Sequence, residues 1–262
     1  MKTGLYGRIA FGASAVLFGV IALMWHDADT WQTMHKLWSL PLGTIMGACL
    51  MVAQIAGGIG ILFQRTARSA SIVLGIVYLL FSLVCVAGIF AAPTVYAAYG
   101  SFFEQFCLVC GAVAVYAATE PNAAQAAALG RAARLGVGLC AISFTLGQIF
   151  YLRFTATLVP SWIPPNQRFW AIITTIAFAL AAVAILINRQ ARLALRLMAL
   201  MTGLFGVLVW IPLLIAHPEA HGNWSEFALT FLITGAAWTV SEQTSNHALE
   251  RIAARRAFAF FI

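Results

Sequence analysis

Two cysteines three positions apart, Cys107 and Cys110, stand in the stretch FFEQFCLVCGAVAVYA at 102–117, just after Glu104 and Gln105. Side chains at i and i+3 share a helix face. A dithiol so placed can be oxidised to a disulfide, releasing two electrons and two protons to an acceptor. The apolar run predicts a helix opening at Phe102. That would put the pair in its first turns, within about 10 Å of the end at 1.5 Å per residue, where unpaired N–H groups and the helix dipole favour a thiolate. The same spacing suits two inert cysteines packed as small apolar residues, and an acid that opens a helix suits a simple partner of the dipole. Both readings stay open on the residues alone.

Other chemistry-bearing residues are sparse. The remaining cysteines, Cys49, Cys85 and Cys140, fall in apolar spans, so no disulfide framework is implied. Gln54 and Gln148 are polar side chains inside such spans, where they serve either as hydrogen bonds between helices or as groups for a ligand oxygen. His26, Asp27, Asp29 and His35 cluster in one loop and His217, Glu219 and His221 in another. Neither loop holds a complete metal-ligand pattern, so no metal is expected.

The elements that must position these residues are membrane helices. Of 262 residues 62% are hydrophobic and only 9% charged, with a mean hydropathy of +0.91, a balance outside that of soluble domains. Apolar spans at 5–25, 42–63, 69–91, 102–118, 133–152, 169–187, 193–216 and 224–241 reach or approach the roughly 20 residues that cross a bilayer. The first continues past any cleavage-like site and is read as a helix of the mature protein. Continuous apolar runs, rather than alternation, exclude a barrel. Eight crossings place Lys2, Arg8, Arg65, Arg68, Arg131, Arg134, Arg189, Arg192, Arg196, Arg251, Arg255 and Arg256 on the side of both termini, against Lys36, Arg153 and Arg168 opposite. The positive-inside rule then puts both termini in the cytoplasm, here of a bacterial inner membrane. The net charge of +7 is spread over short segments, which gives no nucleic-acid stripe. Trp25, Trp31, Trp38, Trp162, Trp170 and Trp224 mark the outer interface and Trp238 the inner one.

The chain also repeats. Arg65-x-x-Arg68 recurs as Arg189-x-x-Arg192 at an offset of 124, Arg8 corresponds to Arg134 at 126, and Glu104 to Glu226 at 122. These landmarks imply an all-α integral membrane protein of eight transmembrane helices, built as two parallel four-helix-bundle repeats at 1–118 and 133–262 with a cytoplasmic linker at 119–132. Cys107 and Cys110 map onto Leu229 and Leu232, so the scaffold does not demand the thiols. Gly57, Gly58 and Gly60 permit close helix contact, and Pro212 predicts a kink.

The stretches GGIGILFQRTARSAS (57–71) and VPSWIPPNQRFWAIITTIAFALAAVAILINRQARLALRLMALM (159–201) resemble the DoxX-like membrane proteins. That resemblance implies a four-helix bundle per half and a role in quinone-linked sulfur or thiol oxidation, with Gln54 standing where a Glu would be expected. FCLVCGAVAVYA also resembles the fourth helix of vitamin K epoxide reductase-like quinone reductases. Their additional cysteine pair has no counterpart in the loop HDADTWQTMHKLWSLP, which points to a separate thioredoxin-like or sulfur-oxidising partner outside the membrane. On this reading Cys107 exchanges with that partner, Cys110 passes electrons to a quinone, Glu104 manages protons, and Gln105, Gln54 and Gln148 are candidates for the quinone oxygens. A small-solute transporter and a non-catalytic assembly or anchoring subunit are the alternatives.

Overall fold

The apolar spans become helices in the structure, a computed structural model that describes residues 5–25 and 42–244. Long helices run at α1 (Leu5–Met24), α2 (Gly43–Leu62), α3 (Ala67–Ala91), α4 (Tyr96–Thr119) and α5 (Ala123–Phe150). A short α6 (Leu152–Leu158) precedes α7 (Gln167–Leu186), α8 (Ala191–Ala216) and α9 (His221–Gln243). No strand occurs among the described residues. Seven of the helices, α1 to α5, α7 and α8, are long and apolar enough to cross a membrane, so the chain is a multi-pass α-helical membrane protein. The eighth expected span lies in α9, which has the length at 23 residues but carries Glu226, Thr230, Thr234, Thr239 and Glu242. Its polar side chains lower its hydropathy, while much of its length is buried against other helices.

Residues Lys2, His26, Asp27, Asp29, Trp31, His35, Lys36, Trp38, Pro41, His247, Arg251, Arg255 and Arg256 lie outside the described residues.

Two helix starts differ from the sequence expectation. α4 begins at Tyr96 rather than Phe102, because Tyr96, Tyr99 and Ser101 are no barrier to a helix even though they lower local hydropathy. α5 begins at Ala123, so most of the stretch 119–132 is helix. Asn122 caps it, its Oδ1 accepting from the Ala124 and Gln125 N–H groups at 3.0 and 3.2 Å. Pro121 stands just outside, where its missing N–H costs nothing.

The helices form a closed set of neighbours. α1 packs on α2, α2 on α3 and α3 on α4; α5 packs on α7, α7 on α8 and α8 on α9. The two sets meet where α1 lies on α9, α4 on α5 and α4 on α9. Lipid tails are as apolar as the helices, so association rests on close packing and hydrogen bonds rather than on hydrophobic burial. Small residues supply the approach. A Cβ on Gly12 would lie 2.7 Å from the Gly58 carbonyl oxygen, and one on Gly235 would lie 2.5 Å from the Phe11 nitrogen. Large apolar side chains such as Ile45, Ile76, Leu83, Phe90, Leu180, Leu197 and Ile215 are exposed on the outside, as a lipid-facing surface requires.

The expected kink at Pro212 takes the form of a π-helical turn at Gly206–Trp210 inside α8. Pro212 cannot donate to the carbonyl four residues back and its ring crowds that carbonyl; the wider turn absorbs the misfit. Gly206 leaves room there for the Phe231 ring of α9.

The arginines brace one end of the assembly. Arg68 donates to Glu120 Oε2 and the Tyr116 hydroxyl at 2.8 Å and to the Thr119 carbonyl at 3.1 Å, and lies 4.7 Å from the centre of the Tyr116 ring. Arg134 donates to the carbonyls of Ile185 and Leu186 at the end of α7, satisfying groups that a helix C-terminus leaves unpaired. Arg8 reaches Gln64 just beyond α2.

Candidate functional site

Because α4 starts at Tyr96, Cys107 lies about three turns, or roughly 16 Å, along the helix from its start. The placement in the first turns is therefore corrected. Intrahelical bonding has consumed the N–H groups at that depth, and the dipole's influence fades beyond the first turn. Both thiols are also buried, Cys107 fully and Cys110 nearly so. No part of Cys107 is open to a protein partner.

The thiols do have a third companion. Cys140 of α5 is fully buried and lies near both Cys107 and Cys110. The register is set one turn earlier on α5: Cys110 Sγ lies directly against Gly136, where any Cβ would collide with it. A glycine there brings α5 close enough to α4 for Cys140 to join the pair. All three sulfurs are free thiols and sit in the continuous core with Phe11, Tyr78, Val137 and Leu232. Sequence spacing could not reveal Cys140, which is separated from the pair by the whole connection between α4 and α5. The available signal was a Gly four positions before a cysteine within an apolar span.

Glu104, half-buried on α4, lies within electrostatic reach of Glu226 on α9. The two residues matched by the internal offset thus come together from separate helices. Glu104 is about 12 Å along α4, and Glu226 reaches the molecular surface. Gln105 is buried, and its Oε1 has no hydrogen-bond partner.

The other two glutamines serve helix contacts away from the thiols. Gln54 on α2 donates through Nε2 to the Ala15 carbonyl of α1 at 3.0 Å, and its Oε1 is buried without a partner. Gln148 Oε1 accepts from Thr174 and Thr175 of α7 at 3.2 and 2.9 Å. Tyr78, fully buried in α3, holds a hydroxyl with no partner, a feature that apolar patterning of the span conceals.

At the end of the molecule away from the arginines, a cleft of about 380 Å³ opens where α4 begins and α5 ends, lined by Pro93, Thr94, Tyr96, Tyr99, Phe150 and Tyr151. Tyr96 donates to Ser143 Oγ and its carbonyl at 2.9 and 3.0 Å, tying the two helices together beside the cleft. Nearby loop chemistry is modest. His217 and Glu219 form an exposed contact at 3.4 Å, and His221 stacks on Trp25 with ring centres 4.3 Å apart. Among the described residues no group of three or more His, Cys, Asp or Glu is arranged to hold a metal ion.

Comparison of the chain with protein-family models, characterised proteins and solved structures gives no match.

Proposed function

We infer that the protein is a membrane oxidoreductase that takes electrons from a dithiol or reduced sulfur compound and passes them to a quinone, or is the membrane subunit of such an enzyme. The observation that carries this reading is the gathering of Cys107, Cys110 and Cys140 at the α4–α5 contact. Thiols sealed from water suit a lipid-soluble electron acceptor better than a thioredoxin-like domain. The reductant is accordingly a small dithiol or sulfur species rather than a protein partner. An open cleft lined by Tyr96, Tyr99, Phe150 and Tyr151 lies between the same two helices, Gln105 offers a free amide oxygen, and Glu104 is the nearest carboxyl on the same helix to take up protons.

The reading includes a scaffold of two parallel DoxX-like four-helix repeats, with eight crossings and both termini on the cytoplasmic side of a bacterial inner membrane. It is supported by the matching neighbour order of α1 to α4 and of α5, α7, α8 and α9. It is further supported by three equivalences at the single offset of 122: Glu104 with Glu226, Tyr116 with Trp238 and Glu120 with Glu242. Arg68 over Tyr116 has a cation–π counterpart over Trp238, made there by Arg196, one turn beyond the Arg192 matched to Arg68.

Quinol formation from a short-tail quinone and dithiothreitol, followed in lipid nanodiscs, tests the activity. Cys107→Ala is expected to lower the rate at least tenfold; turnover equal to the parent protein removes the mechanism. A second reading, a small-solute transporter coupled to protons or cations, is favoured by the meeting of Glu104 and Glu226, since paired ionisable residues within spans mark such pathways. Uptake into proteoliposomes that is lost in Glu104→Gln yet indifferent to Cys107→Ala would select it.

A further inference from the structure

The thiol-oxidation reading above names a pair on one helix, but helix geometry disfavours the closure of that pair. Residues at i and i+3 in a continuous α-helix hold their Cβ atoms about 5–6 Å apart, whereas a disulfide requires about 3.5–4.5 Å. A Cys-x-x-Cys at a helix end escapes this conflict, because its first residue lies outside the hydrogen-bond ladder. Here both cysteines lie in the interior of α4, which is helical from Tyr96 to Thr119. Joining Cys107 to Cys110 would break the ladder inside the buried core.

Cys140 has no such constraint. It belongs to α5, approaches both thiols, and is brought in by the contact of Cys110 Sγ with Gly136. The helices are antiparallel neighbours, so moving one turn back on α4, from Cys110 to Cys107, matches one turn forward on α5, from Gly136 to Cys140. Cys107 and Cys140 are therefore level.

We propose, resting on the thiol-oxidation reading, that the redox disulfide of this protein joins α4 to α5 through Cys140, with Cys107 as its level partner, and does not form within the Cys-x-x-Cys segment. In the step, the S–H bonds of Cys107 and Cys140 break and one Sγ–Sγ bond forms. The two sulfurs are oxidised, and the quinone receives the two electrons and two protons to become a quinol. A dithiol or reduced sulfur compound then restores both thiols. Since α4 and α5 belong to opposite halves of the helix arrangement, the disulfide also ties the halves covalently at their shared contact.

The test uses the full chain in lipid nanodiscs, exposed to a short-tail benzoquinone whose ring is fully substituted and so does not arylate thiols. Remaining thiols are blocked with N-ethylmaleimide under denaturing conditions, and the protein is cut with trypsin. Arg131 and Arg134 separate peptide 69–131, which carries Cys85, Cys107 and Cys110, from the one that carries Cys140, and fragmentation of the peptides assigns each cysteine as joined or alkylated. A quinone-dependent cross-link between those two peptides is expected, with its yield falling at least tenfold in Cys140→Ser and unchanged in Cys49→Ser. Loss of two thiols within the Cys107 and Cys110 peptide, with Cys140 fully alkylated, would overturn the inference and leave the oxidoreductase reading standing. Three thiols that stay fully alkylated after quinone exposure would overturn both. The mapping is done on the parent protein, so it does not depend on whether a variant folds.

Discussion

The α1–α4 region and the α5–α9 region place the same kinds of helix in the same neighbour order, yet they leave their polar groups unsatisfied in different places. In the first, the core holds Gln105 Oε1 as an orphan and two more, Gln54 Oε1 and the Tyr78 hydroxyl. The positions 124 further on are Phe178, packed among the rings of Phe144 and Phe205, and Thr202, which shares a 2.9 Å hydrogen bond with Thr234. Cys107 and Cys110 likewise face Leu229 and Leu232 across the internal match. At the arginine end the contrast reverses. Arg68 and Glu120 close on one another and leave one orphan, Arg8 Nε, in the first region, while Arg192 Nε, Arg196 Nε and Glu242 Oε2 remain buried without partners in the second. Buried polar atoms are normally satisfied, so an orphan carries a cost that some other gain must offset. The difference teaches that the first region is braced at its arginine end and polar in its core, whereas the second is sealed in its core and open at its arginine end.

The largest expected effect tests whether the two regions depend on close backbone contact. Gly235→Leu drives a side chain into the Phe11 backbone, which has no freedom to rotate away. It is expected to cost about 3 kcal/mol or to prevent assembly, at the upper end for overpacking, as measured by thermal unfolding in detergent. Gly136→Ala meets a cysteine side chain instead and is expected to cost about 1–2 kcal/mol. Equal losses at the two sites would mean that the thiol contact is as rigid as the backbone contact.

The bracing contrast gives the next effect. Glu120 is only 5% exposed while Arg68 is 44% exposed. Arg68→Ala strands a buried carboxyl and is expected to cost about 2 kcal/mol, below the range for fully buried pairs because Arg68 is partly solvated. Arg192→Ala removes no formed ion pair and is expected to cost under about 0.5 kcal/mol. A reversed order in chemical unfolding would show that the open end is the stronger brace.

The smallest effect separates the glutamines. Gln148→Met removes the acceptor of two threonine hydroxyls and is expected to cost about 1 kcal/mol, the usual scale for interhelical hydrogen bonds in membranes. Gln54→Met gives up one bond to Ala15 but also removes a buried orphan, so the change is expected to stay within about 0.5 kcal/mol. A Gln54→Met loss larger than that of Gln148→Met would mean that Gln54 Oε1 has a partner of its own in the membrane.

Much of this was legible in the residue order. The spans appear within a few positions of their helices because hydropathy adds residue by residue, and a backbone with no water to bond must satisfy itself within the segment. The α4 start was missed because Tyr96, Tyr99 and Ser101 read as loop by hydropathy, although they are helical in the structure. That shift of less than two turns moved the thiols out of the dipole's reach and changed the chemistry open to them. Gln54 and Gln148 were recognisable as intramembrane polar residues, while their partners depended on which helix faced which.

The sequence by itself determined that the chain threads the membrane several times, that most of its arginines fall between alternate spans, and that one stretch holds two thiols three apart. Each is a local property of composition or spacing. Only the tertiary structure decided that Cys140 lies near those thiols, that Glu104 comes within electrostatic reach of Glu226, and that Arg68 pairs with Glu120 while Arg192 Nε and Arg196 Nε stay without partners. These are contacts between helices, and their register is set by where a glycine such as Gly136 lets two backbones approach, a quantity that no single span contains.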